Sequence, residues 1–383
     1  MDDAGHQQEL IIRGGLCLLP GQGLVPADIV CHVGKIAAVR PAGAASGRAL
    51  DASGCLVLPG IVDIHGDAFE RQIMPRPKTM FPLDIALLET DRQLAANGIT
   101  TAYHGITISW EPGLRSLNQA LEIIATLDAL EGQLLVEHRL HIRWETFAFE
   151  EMDAVQMLFK RKRKPLLAFN DHTTLSLAGS RSPTKLRGSA ERAMMDVSEY
   201  QMVLRDVGER SGEVETAVRT MARAALSGAV PMLSHDDMTP EVRRFYRDLG
   251  AHVAEFPMTE AALDAAADAG DVIVLGSPNV VRGGSHNGAI GAEQAIREAK
   301  CTVLASDYYY PAPLRAAMSL AGRDVLALDQ AWDLISAAPA AASGLADRGH
   351  IAEGMRADLV ILSQPQQMPL ATLVAGRAVN RAG

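Results

Sequence analysis

The sequence predicts an α/β chain: a (β/α)8 barrel with a small β-sandwich domain assembled from both termini. Three observations carry this expectation. Residues 1–55 read as short β-like segments broken by glycine and proline, and residues 346–383 return to the same texture. Between them, eight short apolar segments alternate with longer Ala/Leu/Glu/Arg-rich stretches of helical period. Ionisable residues recur at the C-terminal ends of those segments, where a barrel carries its site.

The elements follow in order. Residues 10–13, 27–33 and 35–39 are apolar or alternating, with breaks at Gly14-Gly15, Pro20-Gly21 and Gly34. Segment 56–64 then ends at His65, 99–103 at His104, 134–144 at Glu145, and 166–169 at Asn170-Asp171-His172. Segment 230–233 ends at Ser234-His235-Asp236, 252–254 at Glu255, 272–275 at Gly276, and 302–305 at Ser306-Asp307. A doubly wound open sheet would alternate in the same way. The ionisable strand ends are what favour the barrel. The C-terminal strands are expected at 357–362 and 368–374, followed by a turn at Ala375-Gly376-Arg377. Neither terminal piece holds enough strands for a core, so the two are expected to pair into one discontinuous domain. The expected division is 1–55 and 346–383 for the β domain and 56–345 for the barrel.

Composition narrows the function. Hydrophobic residues make up 48% and charged residues 21%, a balance that folds. The net charge of −10 argues against nucleic-acid binding. The basic run Lys160-Arg161-Lys162-Arg163-Lys164 is the exception, and it reads as a solvated helix C-terminus, which favours cations. No apolar run approaches the ~20 residues of a membrane span. The acidic, polar first nine residues carry no signal-peptide pattern. Cys17, Cys31, Cys55 and Cys301 are scattered, as suits reduced thiols in a cytoplasmic protein. The expected partner is a small-molecule substrate, with no nucleic acid and no membrane; a homo-oligomer is left open.

His65-Gly66-Asp67 follows an apolar run, and residues i and i+2 of a strand end project together. A histidine and a carboxylate placed this way suit zinc or another first-row divalent ion. Alone, such a pair is no more than a strand-end hydrogen bond. Glu145, His172, His235 and Asp307, each ending a different segment, extend the set. The expected ligands are therefore His65, Asp67, Glu145, His172, His235 and Asp307, holding one or two ions, with Asp307 also the catalytic proton acceptor. Glu255 is an alternative to Glu145. His138 and His141 are three apart, so at most one faces the interior of a strand barrel, and His104 reads as a core histidine.

Cations gather near the same ends. Arg76 and Lys78 lie in a proline-bracketed loop after the first segment. Arg282 precedes the glycine-rich Gly283-Gly284-Ser285-His286-Asn287-Gly288, whose backbone N–H groups could hold an anion with His286. Arg143 points to the same side as Glu145, either toward substrate or as that carboxylate's ion-pair partner. These five, Arg76, Lys78, Arg143, Arg282 and His286, are the expected binding residues for a phosphorylated substrate. The sequence holds no P-loop and no Gly-x-Ser-x-Gly elbow.

Leu58-Pro59-Gly60-Ile61-Val62-Asp63-Ile64-His65 and residues 349–360 resemble the amidohydrolase superfamily at its entry to the first metal motif and its return to the small β domain. His65-Gly66-Asp67, Met74-Pro75-Arg76-Pro77, Ser234-His235-Asp236-Asp237, Ala254-Glu255-Phe256-Pro257, the stretch from Asn279 to His286 and Ser306-Asp307-Tyr308-Tyr309 are similar to its phosphonate-degrading branch. The likeness spans about residues 10 to 375. One loop departs: where that branch continues Asp-His-Thr with Pro-Gly-Gln and a basic residue, this chain reads Thr174-Leu175-Ser176-Leu177. The resemblance implies a TIM-type barrel of the metal-dependent hydrolase kind. It also implies hydrolysis of a ribose-phosphonate 5-triphosphate with release of diphosphate, in phosphonate catabolism. Two rivals stand beside this: the same fold cleaving a cyclic amide or N-acyl group, and a non-catalytic binding relative with eroded ligands.

Overall fold

A computed structural model describes residues 9–179, 182–284 and 291–381. Among these residues, sixteen strands form two sheets. The first contains β1 (Leu10–Leu19), β2 (Gly23–His32), β3 (Lys35–Pro41), β4 (Ala49–Asp51) and β5 (Leu56–Pro59). The second contains β6 (Ile61–Gly66), β7 (Ile99–Ile108), β8 (Glu137–Glu145), β9 (Leu166–Asn170), β10 (Met232–His235), β11 (Val253–Glu255), β12 (Val272–Gly276) and β13 (Val303–Ala305). The chain then returns to the first sheet as β14 (Leu359–Leu362), β15 (Pro369–Val374) and β16 (Arg377–Arg381).

The eight strands β6 to β13 pair in sequence order, all parallel, with helices between them. Their closure is uneven. At the C-terminal end, Asp307 N donates to His65 O at 2.9 Å and Asp67 N to Asp307 O at 2.9 Å. Lower down, Val62 N and Leu304 N instead reach the carbonyls of Ile335 and Leu334, so the turn between two helices (Leu328–Asp333 and Ala337–Ala342) splices the seam between β13 and β6. The tight part of the closure lies where the strand-end residues gather.

The terminal sheet runs β16-β15-β14-β5-β1-β2-β3, with β4 on β1. The link between the termini is β5, antiparallel to β14 and parallel to β1. The sequence suggests one barrel segment over residues 56–64; the structure divides it at Gly60. Leu56–Pro59 belong to the terminal sheet, because a Cβ at Gly60 would collide with Thr100 and no bulkier residue lets β5 pass so close to β7. Trp332 Nε1 to Pro59 O (2.9 Å), Ser336 Oγ to Gly60 O (2.7 Å) and Thr372 Oγ1 to Ala95 O (2.7 Å) fasten the two sheets together.

Inside the barrel, Leu233, Val253, Ala168 and Ala305 pack in one buried cluster with Val62, Ile64 and Val274. Each of the first four lies two residues before a strand-end polar group (His235, Glu255, Asn170, Asp307), so the period of two stacks a polar layer on an apolar floor. On β6 the period is broken. Asp63 pairs with Ala102 and Gly66 with His104, three steps against two, so one extra residue bulges. The bulge lets Val62 and Ile64 face the floor while His65 and Asp67 still face the site. It also turns the Ile64 carbonyl toward His141 Nδ1, 2.9 Å away.

The basic run lies against the neighbouring helix: Arg161 pairs with Asp128, Arg163 with Glu131 at 2.5 Å, and Lys164 Nζ donates to Phe159 O at 2.8 Å. No helix among the described residues is long and apolar enough to cross a membrane. The four cysteines are free and buried.

Candidate metal centre

Among the described residues, three groups of ligand atoms lie close enough to hold an ion: His65, His141 and Glu255; His65, Asp67 and Asp307; and His172, His235 and Asp236. His65 belongs to two of them. Its ring lies 5.0 Å from that of His141 and 5.4 Å from that of His235, centroid to centroid, so the groups adjoin.

The first group is the most buried. His65 Nδ1 stands 2.8 Å from Glu255 Oε1, and His141 Nε2 stands 3.5 Å from Glu255 Oε2. Yet His65 Nδ1, His141 Nε2 and both Glu255 oxygens are buried without hydrogen-bond geometry to any partner. Four orphaned polar atoms aimed at one another are costly in an apolar interior. They fit ligand atoms arranged around a cation. Burial holds the imidazoles neutral, pushing His141 down to about 3 and His65 well below its usual range; for His65 the Arg143 charge adds to this. Neutral imidazole is the form that binds metal.

In the second group, burial and then the adjacent Asp67 carboxylate raise Asp307 above the usual carboxylate range. A cation between them would relieve that repulsion. Gly66 makes the approach possible: a Cβ there would meet Asp63 Oδ2 at 2.8 Å and Ser306 Oγ at 3.0 Å. Asp63 holds the seam, accepting from Ser306 N at 2.9 Å and Ser306 Oγ at 2.5 Å.

The third group shows how adjacent residues can share a site. His235 and Asp236 would alternate on a straight strand, but Asp236 has φ +60°. This left-handed turn brings Asp236 Oδ2 within 3.3 Å of His235 Nδ1 and 3.4 Å of His172 Nε2. Phe256 (φ +54°) and Asp307 (φ +55°) turn the same way at the ends of β11 and β13. Each of the three amides donates to the neighbouring strand, Asp236 to Glu255, Phe256 to Val274 and Asp307 to His65. Non-glycine residues adopt this conformation at a cost of roughly 1 kcal/mol or more, and such positions cluster at functional sites. Phe256 sets its ring edge-on to His65 (4.8 Å) and His235 (5.3 Å), closing the layer from one side.

The expected residues are thus distributed unevenly. His65, Asp67, His172, His235 and Asp307 fall in the three groups. Glu145 is in none of them, although its Oε2 lies 3.7 Å from His172 Nδ1 of the third group: its oxygens accept from the backbone N–H of His172 (3.2 Å) and Thr173 (3.0 Å). These N–H groups open a short helix and have no intrahelical partner, which is why a buried carboxylate sits there. Burial and the Asp171 charge push Glu145 up to about 8. Glu255, the alternative carboxylate, lies in the first group instead. Sequence reasoning missed Asp236, because alternation gave no reason to expect the turn, and left His141 and His138 undecided. His138 faces away, 2.9 Å from Asp91 and 2.7 Å from His104 Nε2.

Arg143 is buried and does not pair with Glu145. Its Nη1 lies 3.4 Å from Asp67 Oδ2 and its Nη2 3.3 Å from His235 Nε2, a fixed cation between the second and third groups. Arg76, Lys78 and Arg282 are exposed; Lys78 Nζ reaches Asp196 at 3.4 Å and Arg282 Nη1 reaches Tyr308 Oη at 3.3 Å. His286 lies outside the described residues.

Comparison with known proteins places the chain. Residues 307–380 match the amidohydrolase family model. The chain is 31% identical over 353 residues to alpha-D-ribose 1-methylphosphonate 5-triphosphate diphosphatase of Escherichia coli (strain K12), an alignment covering 88% of this chain and 91% of that protein. The chain belongs to the amidohydrolase superfamily. Solved amidohydrolase-type structures share its fold at low identity. N-isopropylammelide isopropylaminohydrolase from Burkholderia multivorans ATCC 17616 superposes with a TM-score of 0.64 at 18% identity, covering 98% of each chain. An amidohydrolase from an environmental sample of the Sargasso Sea gives 0.67 at 14%, covering 98% of this chain and 93% of that one. This amidohydrolase therefore has the superfamily's parallel barrel and terminal β sheet, and it is a hydrolase by family.

Proposed function

We propose that this hydrolase cleaves a phosphoanhydride in a ribose-phosphonate 5-triphosphate, releasing diphosphate, as a step of phosphonate catabolism. The observation that carries this reading is the likeness to the Escherichia coli diphosphatase, which covers 88% of this chain. The residues of the site support it. His65, His141 and Glu255, with Asp67, Asp307, His172, His235 and Asp236, would hold one or two divalent ions, and this nitrogen and oxygen donor set suits zinc. An ion bound there supplies Lewis acidity and lowers the pKa of a water toward ~7.

The chain's own groups do the rest. Asp307, held against β6 by two backbone bonds, accepts the proton of the attacking water. Arg143 is anchored on Asp67 and His235 and faces charge that builds on the phosphoryl oxygens without having to reorganise. Arg76 and Lys78, on an exposed loop after β6, and Arg282, at the exposed end of the short helix after β12, neutralise the departing diphosphate. An amide substrate would need none of these cations. The test is an assay of diphosphate release from ribose 5-triphosphates beside ammonia and carboxylate release from cyclic amides, using metal-loaded protein. Diphosphate release alone supports this reading; amide turnover without diphosphate overturns it.

A further inference from the structure

Tyr308 joins three segments at the mouth of the barrel. It follows Asp307, whose backbone is bonded to the end of β6 through Asp307 N to His65 O and Asp67 N to Asp307 O, both 2.9 Å. The guanidinium of Arg71, from the short helix Glu70–Ile73 after β6, lies over the Tyr308 ring, 5.6 Å from its centroid. Tyr308 Oη accepts from Arg282 Nη1 at 3.3 Å, at the end of the short helix Ser277–Arg282 after β12. That helix starts close to the catalytic carboxylate: a Cβ at Gly276 would meet Asp307 Oδ2 at 3.4 Å. One side chain thus holds two guanidinium groups from different segments, directly beside Asp307.

These two cations have no counter-charge of their own. At this end of the barrel Arg115 is bound to Glu70 at 3.0 Å, Arg143 lies 3.4 Å from Asp67, and Lys78 lies 3.4 Å from Asp196. Among the described residues no carboxylate pairs with Arg71 or Arg282, and both are exposed. An arginine that waves in solvent loses rotamer freedom when it binds; one stacked on an aromatic face or resting on a hydroxyl is held in place beforehand. Two like charges gathered on one tyrosine also repel, and an anion spanning both relieves that repulsion. Guanidinium forks match phosphoryl oxygens, and a diphosphate offers one phosphoryl group to each fork where a single phosphate fills only one.

We propose that Tyr308 is a positioning residue that sets Arg71 and Arg282 as a two-armed clamp for the terminal diphosphate of the substrate. The clamp rests on the phosphoanhydride reading and deepens it by adding a cation, Arg71, and the residue that orders both arms. In that reaction the water oxygen bonds to the phosphorus nearest the sugar and its proton passes to Asp307. The bond from that phosphorus to the bridging oxygen breaks, and the oxygen leaves with the diphosphate, whose charge the two arms hold.

The test titrates inorganic diphosphate and inorganic phosphate by calorimetry into metal-loaded protein, with the divalent ion kept in the buffer. Tyr308→Ala and Arg71→Met should each weaken diphosphate binding by about tenfold, the loss of one hydrogen-bonded charge, and phosphate binding by less than about threefold. Tyr308→Phe keeps the ring under Arg71 and should recover part of the loss. The double variant Tyr308→Ala/Arg71→Met should fall short of the product of the two single effects, because one residue acts through the other. A residue that only supports the fold would lower affinity for both anions alike. That result, the absence of diphosphate binding by wild type, or unchanged diphosphate affinity in both single variants overturns the clamp. Cleavage of a ribose 5-triphosphate is followed on the same samples. If the clamp binds diphosphate as expected but no triphosphate is cleaved, the reaction reading alone fails; cleavage with unchanged diphosphate affinity in both variants removes the clamp and leaves that reading in place.

Discussion

His65 Nδ1 stands 2.8 Å from Glu255 Oε1, and neither atom completes a hydrogen bond. Two buried polar atoms this close, with His141 Nε2 similarly placed on the other oxygen, have the geometry of neighbouring ligands rather than of a donor and its acceptor. Glu255→Gln should therefore lower affinity for a divalent ion more than about tenfold, the loss that even outer partners of metal ligands produce. Competition against a chromogenic chelator measures this. Unchanged affinity would remove Glu255 from the ligand set.

Glu145 differs from Glu255 in what its oxygens touch. Because both accept from backbone N–H groups of residues 172 and 173, Glu145→Gln should leave metal content unchanged. It should lower stability by about 1–2 kcal/mol, the effect of leaving a buried donor unmatched. Metal analysis and urea unfolding of the variant check the two halves of this prediction. Loss of metal would return Glu145 to the ligand set.

Asp307→Asn keeps the backbone bonds to His65 and Asp67, so the barrel should close as before. Turnover should fall by about a thousandfold through loss of the proton acceptor. Near-normal turnover would exclude that role. Arg143→Met should lower kcat by about a hundredfold, comparable to the loss of one preorganised transition-state donor. A rise in KM at constant kcat would instead mark Arg143 as a binding group only.

Stability should depend on pH through Glu137, which lies beneath Arg348 and Arg356 where the terminal sheet meets β8. Burial opposes its charge, but Arg348, Arg356 and Arg139 outweigh burial and hold the carboxyl down at about 2. An unfolded glutamate titrates near ~4.3. The folded chain thus binds fewer protons between these values. The stabilisation, on the order of 3 kcal/mol, is fully present above about pH 4.5 and is lost as pH falls toward 2. Glu137→Gln should be less stable at pH 7 and flatter in this acid window, as read from urea midpoints at several pH values. An unaltered acid slope would contradict the assignment.

Much of the site was legible because strand ends carry ionisable residues at a period of two: His65 with Asp67 needs nothing more, and His172, His235 and Asp307 each end a segment. The rest depended on backbone geometry that residue types do not announce. Asp236 joins the site only through its left-handed turn, and His141 faces inward where the bulge on β6 offers it the Ile64 carbonyl. Glu145 and Glu255 both end strands, and only the helix opening at His172 separates a capping carboxylate from one aimed at two histidines. For the fold, the alternation of segments outlined the barrel, but Gly60 hid the crossing of β5 into the terminal sheet.

A chelation and reconstitution titration shows whether this chain hydrolyses its substrate through a divalent ion held in the His65–Glu255–Asp307 region. Bound divalent ion and diphosphate release from a ribose 5-triphosphate are measured on the same samples. Turnover should vanish in the stripped protein and return in proportion to bound ion, and Glu255→Gln should require more ion for the same recovery. Full turnover in the stripped protein would contradict it.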